Sequence, residues 1–124
     1  LLKPKPDDDG VLNNFAWVLA TSPDDKLRDG PRAIKLATKA CEVTEYKKPH
    51  ILSTLAAAYA ETGDFETARK WSGKAVELGT KDKEVDEQLK KELESYQQKK
   101  PWRERQTVEE KPDPIQPRRG DFEA

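Results

Sequence analysis

The chain has 124 residues, of which 34 % are hydrophobic and 38 % charged, with a formal net charge of −1. That length holds one small domain. Near-neutrality removes the whole-chain field that draws a protein to nucleic acid or anionic lipid. A single cysteine excludes an internal disulfide and a Cys-rich metal site, and no apolar run approaches the roughly 20 residues of a membrane-spanning helix.

Residues 1–10, with Pro4, Pro6, Asp7-Asp8-Asp9 and Gly10, read as a solvated lead-in. The chain has no methionine, so it is expected to be a processed product or a piece of a longer protein. From Val11 to Ala20 the apolar positions Leu12, Phe15, Ala16 and Leu19 repeat at helical spacing, and Pro23 ends the pattern. A second helix is expected near Pro31, capped by Asp29 or Gly30, with Ala33, Ile34, Ala37, Ala40 and Cys41 on one stripe. Cys41 on that stripe reads as a small buried hydrophobe. A third helix runs from His50 to about Thr62 and closes at Gly63. Asp64 then caps a fourth, which carries Phe65, Ala68, Trp71, Ala75, Val76 and Leu78 and stops at Gly79. A fifth begins around Asp82 with Val85, Leu89, Leu93 and Tyr96 on one side, its other faces charged. Residues 101–124, with four prolines and no periodicity, read as an extended or disordered tail. Trp102 is the exception, an indole placed to fold back onto apolar surface. Pro114-Ile115-Gln116-Pro117-Arg118-Arg119 fits a PxxPxR pattern that aromatic grooves read.

The helical centre is written twice. Leu52-Ser53-Thr54-Leu55-Ala56-Ala57-Ala58-Tyr59-Ala60 overlays Leu12-Asn13-Asn14-Phe15-Ala16-Trp17-Val18-Leu19-Ala20, and Ala68 with Ala75 overlays Ala33 with Ala40. This unit resembles the tetratricopeptide repeat, a helix–turn–helix of about 34 residues. The resemblance rests on Leu52, Leu55, Ala56 and Tyr59, on Gly63-Asp64-Phe65, and on Ala68 and Ala75. Ser72 departs from it, standing where the family has an aromatic. The first copy carries an insertion over Ser22–Gly30, similar to a bacterial subtype in which the module sits at the C-terminal end of a larger protein. The resemblance implies an all-α, α-α superhelix over residues 11–100. Its parts would be repeats at about 11–44 and 49–79 and a capping helix at about 82–100. Lys90, where a further repeat would need a small residue, marks the fifth helix as a solvating end.

What the resemblance implies for function is a concave groove that takes a peptide or helix of a partner protein. Its positions would be Asn13, Asn14, Trp17, Ala20 and Thr21 from the first copy and His50, Ser53, Thr54, Ala57 and Glu61 from the second. The last helix would add Glu84, Glu87, Gln88 and Lys91. Two asparagines early in a helix want a reason: amide contacts to a partner, or N-terminal capping. Trp17 reads as a packing residue more than an anchor, and His50 as a helix-start residue. The carboxylate clamp of some family members is rejected, because Thr54, Glu84 and Gln88 replace its Asn and cations. The expected partner is a protein or peptide, with no nucleic acid, membrane, metal or cofactor, and with self-association through unpaired repeat surfaces. No nucleophile–base or metal constellation can be assembled, so no enzyme is expected. The rival expectation is a structural end module with no ligand of its own.

Overall fold

The computed structural model describes residues 8–103; most of the expected lead-in and tail, with the PxxPxR segment, lies outside the described residues. Within them the chain is all-helical, with no strand: α1 (Asp9–Thr21), α2 (Gly30–Val43), α3 (Pro49–Glu61), α4 (Phe65–Leu78) and α5 (Lys83–Gln97).

Aspartates start four of the five. Each leaves a helix end whose first backbone N–H groups have no partner inside the helix, and a carboxylate there accepts them. The Asp8 carboxylate accepts from Gly10 N at 2.9 Å and Val11 N at 3.2 Å, so α1 begins before the Val11 expected from its apolar pattern. Asp29 receives Arg32 N, Asp64 receives Thr67 N, and Asp82 receives Glu84 N and Val85 N. α3 has no side-chain cap and starts instead on Pro49, which needs no donor partner. Gly63 and Gly79 end α3 and α4 with φ of 89° and 65°, the left-handed region that glycine enters without steric cost.

The small residues are buried. Ala33, Ala40, Ala68 and Ala75 are each 0 % exposed, as are Ala16, Ala37 and Ala56. A methyl group at these positions lets neighbouring helices approach closely, and the contacts follow. α1 packs on α2 and α3, α2 also packs on α3, and α4 packs on α3 and α5. α3 is therefore the centre of the molecule, touching every other helix. Its residues Ile51, Leu52 and Leu55 join Leu12, Ala37, Ala40, Cys41, Ala75 and Leu89 in one cluster. Ser72 is buried too, at 2 %, and the aromatic beside it, Trp71, packs outward against Tyr46 with ring centroids 5.3 Å apart. That stack braces the α2–α3 turn, where Glu45 and Tyr46 both adopt positive φ.

The insertion between α1 and α2 is tied down. Its Asp24 N–H donates to Ser22 Oγ, Asp29 N–H donates to Leu19 O at 2.8 Å, and Arg28 Nη1 donates to Ser22 O at 2.6 Å. Gly30 follows because nothing larger fits: a Cβ there would stand 2.6 Å from the Thr62 methyl. At the other end, Trp102 packs against Ala56, Ala60, Ala68 and Tyr96. The expected tail thus contributes its first residues to the core.

The two copies differ in one informative way. Ile51, Leu55 and Ala58 are 1 %, 2 % and 0 % exposed, because α1 and α2 cover them. The overlaid residues of the first copy, Val11, Phe15 and Val18, are 48 %, 42 % and 45 % exposed. No described helix precedes α1, so the same stripe faces outward there; Arg32 lies over the Phe15 ring at 4.8 Å. Leu55→Ala is therefore expected to cost about 2–5 kcal/mol, and Phe15→Ala about 1 kcal/mol or less. Urea midpoints of the two variants check this; equal losses would contradict it.

Candidate functional site

A cleft of about 270 Å³ opens between α1, α3 and α5. Its lining comes from alternate helices: Asn13, Asn14 and Trp17 from α1, His50, Ser53 and Thr54 from α3, and Val85, Gln88, Leu89 and Glu92 from α5. Neither α2 nor α4 contributes. The volume is below the roughly 300–1,000 Å³ of sites for whole small molecules, and suits a side chain better.

The cap analysis bears on the asparagines. Asp8 satisfies the start of α1, so Asn13 and Asn14 are not capping residues, and both line the cleft. Asn13 Oδ1 is buried with no hydrogen-bond partner among the described residues. A buried acceptor left unpaired costs about 1–3 kcal/mol. Trp17 is half-buried and serves two ends: it packs on Leu19, Ala20, Ala33, Ala57 and Ala58, and it walls the cleft. His50 lies exposed at the rim, where partial burial and Lys48 lower its pKa below the ordinary value against the pull of Asp9. At neutral pH the ring is therefore uncharged.

Glu92 is what sequence reasoning missed. It is 1 % exposed. Its carboxylate accepts a hydrogen bond from Ser53 Oγ at 2.6 Å and another from Gln88 Nε2 at 2.9 Å. The signal was its phase: Leu89, Glu92 and Tyr96 follow one another at helical spacing on the buried arc of α5, while Val85, one turn earlier, is exposed. Leu93, assigned to that arc, is only partly buried.

Seven positions expected in the groove do not line the cleft: Ala20, Thr21, Ala57, Glu61, Glu84, Glu87 and Lys91. Ala20 is buried, and Glu84, Glu87 and Lys91 are exposed on α5 outside the lining. Thr21 is fully buried and its hydroxyl donates to Trp17 O at 2.7 Å, turning back on its own helix. Ala57, 1 % exposed, belongs to the alanine cluster between the helices. Glu61 forms an ion pair with Arg28 Nε at 3.1 Å and with Arg103 Nη1 at 2.8 Å. Burial opposes the Arg28 charge, and its hydrogen bonds to Asp25 and Glu61 outweigh that. One carboxylate thereby fastens the insertion and the segment after α5 to the end of α3. Ser53 and Thr54 line the cleft as expected, but from its floor, at 4 % and 2 % exposure.

Cys41 is enclosed, and burial followed by Glu42 pushes its thiol to about 12, so it holds its proton at neutral pH. No three His, Cys, Asp or Glu side chains among the described residues form a group able to hold a metal ion, and no described helix is long and apolar enough to cross a membrane. No protein-family model, curated protein or solved structure matches the chain.

Tyr96 neighbours the site from below. It is fully enclosed, its hydroxyl has no hydrogen-bond partner among the described residues, and burial with Glu92 raises its pKa well above the usual range. Tyr96→Phe removes the unpaired hydroxyl and keeps the ring, so thermal unfolding is expected to show unchanged stability or a gain of about 1 kcal/mol. A clear loss would mean that the hydroxyl is satisfied in solution.

Proposed function

We propose that the chain is a protein–protein interaction module of tetratricopeptide type, with α1/α2 and α3/α4 as its two helix hairpins and α5 as the capping helix. A peptide or helix of a partner protein enters the cleft between α1, α3 and α5. One observation carries the reading: the first helix of each unit, and no second helix, lines a common cleft. Overlaid alanines that are all buried, and a central α3 packed on both units, support the repeat arrangement. The reading assigns no catalytic role.

Selection from a random peptide library tests it. Bound peptides are expected to lose at least tenfold in affinity on Asn14→Ala combined with Trp17→Ala, with helical circular dichroism retained. Failure to select any peptide, or affinities the substitutions leave intact, would overturn the reading.

A second reading makes this a structural module stacked on further helices. The specific observation in its favour is the outward stripe of Val11, Phe15 and Val18, whose counterparts in the second copy are covered. The two readings are compatible, because the stripe and the cleft use different residues of α1. Sedimentation of the isolated chain is expected to show concentration-dependent association that Phe15→Lys abolishes; a monomer at all concentrations would remove self-association as the way this stripe is covered.

A further inference from the structure

The outward stripe of α1 has a counterpart inside the same molecule, and the comparison limits what can cover it. In the second copy Ala58 is 0 % exposed and shares one cluster with Ala33 of α2, a crossing with room for methyl groups only. The first copy has Val18 at that position, and Phe15 where the second has Leu55. The distance between helix axes follows the side chains at the contact. A helix presenting the face that α2 presents to α3 therefore cannot seat on this stripe at the same distance. Nor does another copy of the chain offer such a face head to tail: α4, the counterpart of α2, is already packed on α5, and Trp102 closes the same cluster.

What fits the stripe is α1 itself. Phe15 is the middle residue of the helix Asp9–Thr21, with Val11 one turn before it and Val18 one turn after. Two such helices laid antiparallel bring Val11 of each opposite Val18 of the other, and set the two Phe15 positions within about 1.5 Å of one level along the axis. The patch is then its own complement, as a twofold interface requires. The charges agree with this direction. Asp29 N–H donates to Leu19 O, which sets Arg32, three residues on, beside the C-terminal end of α1. Arg32 lies over the Phe15 ring and forms no ion pair among the described residues. An antiparallel neighbour brings to that end the exposed Asp8 that starts its own α1.

From these observations we infer that two copies of the chain pair through α1, antiparallel about a twofold axis that passes beside Phe15. The inference rests on the second reading above, self-association through the stripe, and adds its geometry. Three apolar side chains are few beside the roughly 20–30 residues a side of a stable interface, so the pair is weak and reversible.

Oxidative cross-linking of the full chain, read by mass spectrometry, tests it. Cys41 is enclosed and its thiol is pushed up to about 12, so an introduced cysteine reacts in its place. Val11→Cys mixed with isotope-labelled Val18→Cys is expected to give the mixed disulfide at least tenfold over either self-linked product, whose residues would stand about 10 Å apart along the axis. Val18→Ala restores the small residue of the second copy without loss of helix propensity, and sedimentation is expected to show association at least threefold weaker. Both positions are exposed, and circular dichroism checks that each variant stays helical. Self-linked products in equal or greater yield would overturn the antiparallel pair. Tighter association of Val18→Ala would overturn it in favour of a helix seated as α2 is on α3. Association that Phe15→Lys abolishes, yet without the mixed disulfide, sinks this geometry alone, whereas a chain that stays monomeric removes the self-association beneath it.

Discussion

The fold depends on how close its helices come. Ala33, Ala40, Ala68 and Ala75 leave no surface to solvent, and with only a methyl at each position α3 sits against α1, α2 and α4 within one cluster of cores. Larger side chains there would separate the hairpins. Interiors pack at crystal-like density, so the separation could not be absorbed by looseness elsewhere. Because α3 is enclosed on several sides, its polar residues Ser53 and Thr54 are buried at 4 % and 2 %, and Ser53 is brought to Glu92 of a helix 39 residues away.

Two glutamates in this molecule illustrate what surroundings do to one functional group. Glu61, at the end of α3, is held between Arg28 and Arg103, and the arrangement is structural: paired cations, loop and C-terminal segment fastened together. Glu92 is more deeply buried and receives its described hydrogen bonds from neutral groups, at the floor of a cleft. The first device closes the fold, and the second ties α5 to α3 beneath the cleft.

Much of this was legible in the residues. The helices follow from apolar spacing, and their starts from aspartates at 29, 64 and 82, because local capping chemistry needs no knowledge of the tertiary structure. α1 was read two residues short because Asp8 sits inside a run of aspartates that looks solvated. Asn13, Asn14, Trp17, His50, Ser53, Thr54 and Gln88 do meet in one cleft. Thr21, Ala57 and Glu61 do not, since groove positions inferred from a repeat ignore the third dimension. Thr21 bonds to its own helix, Ala57 fills a crossing, and Glu61 answers an arginine 33 residues back in an insertion the repeat pattern does not describe. Glu92 was overlooked for a plainer reason: a glutamate in a highly charged helix looks like solvated surface unless its phase is compared with Leu89 and Tyr96.

The claim under all of this is that α3 and α4 meet backbone to backbone at a position reserved for a methyl group. Thermal and urea unfolding of Ala68→Leu tests it most directly, because leucine keeps nearly the helix propensity of alanine and any loss must come from packing. The account predicts a loss of about 1–3 kcal/mol. A variant that unfolds at the same temperature and urea concentration as the unaltered chain, or at higher ones, would contradict it.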